Sequence, residues 1–391
     1  MQQRVLWVSL FFPFIVLLTA NAIDRTEAER EILAEATKRT ERVRQSEIEV
    51  VLRKGGGEPL AHTSVRFTHK RHLFQVGNTL HPLAWKWSQM HDPELFQRRF
   101  RDLYNMAVIP LHWAAYEPQP SKTQQALVEN AFAWCEREGL PIKGHPLSWG
   151  YRNHLPEWVK SLSLPEAQAA QERRIRDMVT TFKGRVSIWD VVNEPIHMGP
   201  WACVMDPNCR FDPNDAQAME DLATWVDRCF RWAHAADPEA TLLLNEFGQI
   251  AHRDIREAFF RLVKMLQERG TPIEGIGIQA HNPRTEWFKP QDILDTLDLY
   301  AQLNLPIHIS EFHPQSAGKE ITGDWREGTW TKATQAEFTE QMLRLCFSHP
   351  AVVSFTWWGL SDRYIWLDGA GLIDEDYAPK LNYHRIRDLL Q

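Results

Sequence analysis

The chain has 391 residues, 43% of them hydrophobic, which supplies a large buried core and excludes a disordered polymer. Its 44 lysines and arginines against 51 aspartates and glutamates give −7 overall with no basic block, excluding a binder that works by neutralising phosphates. Seventeen tryptophans exceed what a core needs, and flat aromatic faces without basic charge point to stacking against sugar rings.

Residues 1–22 read as a secretory signal peptide: Arg4, an apolar run over 5–18, then Ala20-Asn-Ala22 as a cleavage site. The mature chain is expected to start at Ile23 and to act outside the cell or in the periplasm. The alternative, an uncleaved anchor, needs a run of roughly 20 apolar residues, longer than this one.

Residues 23–71 form a second segment. The stretch 23–44 alternates acids and bases, with Thr26-x-x-Glu29 as a capping box, and predicts a solvated, loosely packed helix. Two β-rich runs, 46–52 and 63–68, flank Lys54-Gly-Gly-Gly57 and suggest a small antiparallel unit.

From 72 to 391 short apolar runs alternate with amphipathic ones. Strands are expected at 72–80, 107–113, 141–149, 186–194, 240–247, 273–281, 306–313 and 352–359. Helical patterns lie between them, and 382–390 closes the chain. Eight such alternations in about 320 residues predict an α/β fold, a (β/α)8 TIM barrel, with a doubly wound sheet as the alternative.

Of five cysteines, Cys203 and Cys209 share a turn-rich loop and are expected to pair. Cys135, Cys229 and Cys346 sit on apolar helical stretches, as buried thiols would. No Cys/His spacing suits a zinc site, so neither metal nor cofactor is expected.

Catalytic groups of such a barrel collect at the carboxyl ends of its strands. Those ends carry His112, His145 with Trp149, Asn193-Glu194, Asn245-Glu246, Gln279 with His281, Glu311 with His313, and Trp357-Trp358. There is no glycine-rich phosphate loop and no Gly-x-Ser-x-Gly elbow. Carboxylates flanked by aromatic platforms are what glycoside hydrolysis needs.

Trp189-Asp-Val-Val-Asn-Glu-Pro195 resembles the acid/base motif of glycoside hydrolase family 10, the xylanase family. Four further motifs follow the same pattern: Gly144-His-Pro-Leu-Ser-Trp149, Gly275-Ile-Gly-Ile-Gln-Ala-His281, His308-Ile-Ser-Glu-Phe312 and Trp358-Gly-Leu-Ser-Asp-Arg-Tyr-Ile-Trp366. The resemblance implies Glu194 as general acid/base and Glu311 as nucleophile of a retaining endo-β-1,4-glycanase acting on xylan first. It also implies that Asn193 bonds the 2-hydroxyl of the sugar at the cleavage point. His145, Gln279 and His281 would line that subsite, and Trp149, Trp358 and Trp366 would wall it. The partner is then a polysaccharide or oligosaccharide, with no nucleic acid and no membrane beyond the signal peptide, and the chain is expected to be a monomer.

Three positions depart from the family pattern. The second strand has Val108-Ile109 and His112 where Glu-Asn and a Lys are usual, so Ile109 and His112 are expected to give the neighbouring subsite an apolar wall and one imidazole, able to help when protonated. His313 stands where an Asp backs up the histidine that orients the nucleophile, and Gly150 where a His follows the third-strand Trp. Competing readings remain: Glu194 in a structural ion pair with a nearby base, Glu246 as nucleophile, a non-catalytic carbohydrate-binding barrel, and a metal-dependent hydrolase built on His112, His145, His281 and His313.

Overall fold

The computed structural model describes residues 12–45, 51–58, 63–64, 66, 72–281 and 284–390, with side chains from residue 27 onward. The eight apolar runs become eight parallel strands: β1 (Gln75–Thr79), β2 (Met106–Pro110), β3 (Ile142–His145, continued by Ser148–Trp149), β4 (Ile188–Asn193), β5 (Thr241–Phe247), β6 (Gly275–Gln279), β7 (Ile307–Phe312) and β8 (Val352–Trp357). They hydrogen-bond in the order β3-β2-β1-β8-β7-β6-β5-β4, and pairing of Lys143 with Ile188 and Gly144 with Trp189 closes the ring. A doubly wound sheet would leave two free edges, and closure removes them.

Most strands stop short of their apolar runs. The run 107–113 ends as a strand at Pro110, because the chain turns at His112 into a short helix, Trp113–Tyr116. Rim residues leave the ladder to face the mouth of the barrel, and hydrophobicity alone does not register that turn.

After an N-terminal helix α1 (Phe12–Arg44), the outer ring consists of α2 (Pro93–Arg101), α3 (Gln125–Glu138), α4 (Leu164–Thr181), α5 (Ala216–Ala236), α6 (Arg253–Glu268), α7 (Pro290–Ala301) and α8 (Lys332–Ser348), with α9 (Leu381–Leu390) at the end. Helical spacing turns Leu222, Val226, Cys229, Phe230 and Ala233 of α5 inward together. Side chains of Asp92 and Asp215 cap α2 and α5, accepting from the N–H groups of Leu95 and Ala218 at 2.8 Å each. Cys135, Cys229 and Cys346 are free and buried, as expected. Inside the barrel Met106, Ile188 and Leu243 make a small apolar cluster of their own.

The N-terminal segment departs from the expected loose helix. α1 runs through Thr26 instead of starting there, and Glu29, buried, pairs with Arg326 at 3.0 Å. Arg44 donates to the carbonyls of Phe347 (2.8 Å), His349 (2.9 Å) and Val352 (2.6 Å), and its guanidinium lies over the rings of Phe74 and Phe347. Val352 opens β8, so the C-terminal end of α1 is fastened at the end of the barrel opposite the site. Residues 54–58 form the turn that the glycines predict. Most of the runs 46–52 and 63–68, and residues 1–11 of the expected signal peptide, lie outside the described residues. Among the described residues no helix is long and apolar enough to cross a membrane.

Candidate active site

β4 delivers Asn193 to the rim, and Glu194 follows it in the left-handed region at φ 59°. Such backbone is costly for a residue with a side chain, and here it is held by a bond from the Glu194 N–H to the Asn245 carbonyl at 2.7 Å and by Pro195, which starts the next short helix. The turn aims the carboxyl into a cleft of about 610 Å³, where it accepts from the Trp149 indole (2.8 Å), the Asn193 amide (3.1 Å) and the Gln279 amide (3.2 Å).

β7 brings Glu311 into the same cleft. Its Oε1 accepts from the Asn245 amide at 2.9 Å, while His281 Nδ1 stands 3.7 Å from Oε2 and His145 Nε2 stands 4.0 Å from Oε1. Asn245 also donates to Asn193 Oδ1 at 2.7 Å, so one amide ties the two carboxyl neighbourhoods together.

Burial, and after it the charge of Glu246, pushes Glu194 up to about 7. Glu311 too is held well above the usual carboxylate range, by burial first and by the charge of Glu194 second. Two buried carboxyls in one cleft favour a single charge between them, which supplies one acid and one base.

The structure-pair reading of Glu194 does not hold, because the bases near it are taken by Asp190. That carboxylate pairs with Lys143 at 2.9 Å and His145 at 2.7 Å. Burial opposes its charge, but Lys143 and then His145 outweigh burial and keep Asp190 below its ordinary range. Glu246 does not reach the cleft: it is fully buried and accepts from the Ile196 N–H (2.7 Å), His197 Nδ1 (2.9 Å) and the Phe247 N–H (2.8 Å). It therefore braces the short helix after Glu194.

The sequence profile of Glycosyl hydrolase family 10 matches residues 74–389. The chain belongs to this family. Among its relatives, endo-1,4-beta-xylanase B of Thermotoga neapolitana is 29% identical over 72% of this chain and 78% of its own length. The beta-1,4-xylanase of Dictyoglomus thermophilum is 27% identical over 71% and 78%. Among solved structures, xylanase 10B of Thermotoga petrophila RKU-1 in complex with xylobiose superimposes with a TM-score of 0.66 at 25% identity, covering 84% of this chain and 98% of that one. The protein is thus a glycoside hydrolase with a family 10 barrel.

Within this family 10 cleft, His112, His145, Trp149, Asn193, Gln279, His281, Trp358 and Trp366 all line the wall beside the two glutamates. Trp357 and Trp358 divide as adjacent strand residues must: Trp357 is fully buried against Phe312 and Phe355, and Trp358 meets His145 edge-on at 4.8 Å. Cys203 and Cys209 are joined, with Cα atoms 4.9 Å apart, in the loop after Glu194.

Two expectations about the second strand are corrected. Ile109 is fully buried in the core, and Pro110 takes its place in the wall with His112. Burial, together with His145 and His154, keeps the His112 imidazole well below its ordinary pKa, so the ring acts as a neutral surface and not as a cation. It packs on Trp149 at 5.4 Å and on His154 at 4.9 Å. Gly150 also has a reason: a β-carbon there would lie 2.5 Å from Val204, on the helix Trp201–Met205 that enters the disulfide loop. His313 is fully buried behind the wall, edge-on to His281 (5.0 Å) and Trp366 (5.1 Å). Among the described residues no group of three or more His, Cys, Asp or Glu is placed to hold a metal ion.

Asn245, Tyr151, His154 and Arg284 are cleft or bracing residues to which sequence reasoning gave no role. For Asn245 the signal was present: on a strand, if Glu246 faces outward, its neighbour faces the barrel interior.

Proposed function

We propose that this glycoside hydrolase is an exported endo-β-1,4-xylanase working by double displacement with retention. The observation that carries the reading is the pair of buried carboxyls, Glu194 and Glu311, in one cleft and joined through Asn245 and Asn193. Glu311 attacks the anomeric carbon while Glu194 gives its proton to the departing glycosidic oxygen. Having given up its proton, Glu194 is left as a carboxylate once Glu311 is esterified. The carboxylate so formed takes a proton from water, which then releases the sugar.

The aromatic walls at Trp149, Trp358 and Trp366 suit flat, weakly polar faces of pyranose rings. The xylan preference is supported by relatives named as xylanases and by the neighbour solved with xylobiose. Export is supported by Arg4, the apolar run and Ala20-Asn-Ala22, and by the Cys203–Cys209 bridge, which belongs to an oxidising compartment. NMR of the first product released from a xylo-oligosaccharide tests the reading: the β-anomer is expected, and initial α-product or an uncut chain would overturn it.

A further inference from the structure

Among the described residues lining the cleft, Arg284 is the only arginine or lysine. Its side chain is exposed and its guanidinium stacks 4.5 Å over the ring of Trp366, itself half exposed. Trp366 in turn meets His281, which stands beside Glu311. The backbone of Arg284 is anchored, its carbonyl accepting from Gln315 at 3.0 Å. Yet among the described residues no carboxylate pairs with its guanidinium. Cations of the facing loop are occupied: Lys380 pairs with Asp362 at 3.0 Å, and Arg363 with the Glu375 carbonyl at 2.8 Å and Asp376 at 3.6 Å.

The other basic groups on this wall are imidazoles, and burial holds His81, His112, His145, His154 and His281 toward the neutral form. Among the described residues, Arg284 is therefore the permanent positive charge of a cleft that also holds two glutamates. A planar fork stacked on an aromatic ring keeps its N–H edge free for a carboxylate.

We propose that Arg284 on Trp366 forms a subsite for an acidic sugar substituent, so that the enzyme favours a β-1,4 chain carrying a uronic acid side group over the same chain without it. This inference rests on the glycanase reading above. The test compares kcat/KM for a neutral xylo-oligosaccharide and for the same chain bearing one glucuronic acid side group, in wild type, Arg284→Gln and Arg284→Lys. Binding of both chains to Glu311→Gln and to Glu311→Gln/Arg284→Gln by calorimetry supplies the same ratio without turnover. Wild type is expected to prefer the acidic chain. Arg284→Gln should lower the acidic-to-neutral ratio roughly tenfold, with lysine restoring part of it, as for a charge-assisted pair. About 0.5 M salt should erode the wild-type ratio and leave that of Arg284→Gln in place. A ratio that is the same in wild type and Arg284→Gln overturns the acidic subsite alone. Failure to cut or bind even the neutral chain overturns the glycanase reading and the subsite with it.

Discussion

Asn245 donates to Glu311 across the barrel, from β5 to β7, at 2.9 Å. The strand between them permits this because its residue 277 is glycine: a β-carbon there would lie 2.1 Å from Asn245 Oδ1. Positioning of the nucleophile thus depends on a residue set behind the cleft wall.

Two substitutions test this. Asn245→Ala removes a hydrogen bond to a charged group, and Gly277→Ala displaces the amide that makes it. Each is expected to lower kcat roughly 10- to 100-fold with a smaller change in KM, on the scale of about 1.5–3 kcal/mol for such bonds. Steady-state kinetics checks it, with circular dichroism to establish that both variants fold. A normal kcat in either would detach Asn245 from the nucleophile.

Glu311→Gln should lose nearly all activity on every substrate, because an amide cannot form the glycosyl ester. Glu194→Ala should be severe on xylan and much milder on an aryl xyloside whose leaving group needs little protonation. The two variants assayed on both substrates give four rates. Equal damage by Glu194→Ala to both substrates would contradict its role as acid.

Because Glu194 is pushed up to about 7, kcat/KM on xylan should fall as pH rises through that value, where the acid loses its proton. In Glu194→Ala, assayed on an activated aryl xyloside, that alkaline limb should disappear. Stability follows the same proton. Folded Glu194 binds it more tightly than the unfolded chain does, so its contribution is greatest below pH 4.5 and declines as pH rises to about 7. Thermal melts should show wild type losing stability relative to Glu194→Gln over that interval, by up to about 3 kcal/mol.

Replacing Cys203 and Cys209 together by serine should cost about 2 kcal/mol, since the closed loop is short. The helix Trp201–Met205 packs on Gly150 beside Trp149, so the same variant should also weaken substrate binding. Melting temperature and KM check the two effects, and peptide mapping of the unreduced wild type checks the bridge itself.

Much of the site was legible in the chain because barrel geometry sends the last residues of every strand to one mouth. Glu194, Glu311, His145, Gln279 and His281 could be placed there from their position at strand ends, and the five motifs reinforced that order. The eight strands were legible for a similar reason, since buried parallel strands read as short apolar runs. What the sequence did not decide is which way a side chain at the rim turns. Ile109 points into the core and Pro110 to the cleft, and Glu246 braces a helix while Asn245 holds the nucleophile; these follow from where each ladder ends, which no local pattern records. Partnering was equally out of reach. Arg44 and Glu29 look like solvated charges until α8 and Arg326 are brought beside them, and Arg284 looks like any surface arginine until the surrounding carboxylates are located. Hydrogen bonds and ion pairs act over a few ångströms between residues as far apart in the chain as Arg44 and Val352, 308 positions, so only the closed barrel could decide them.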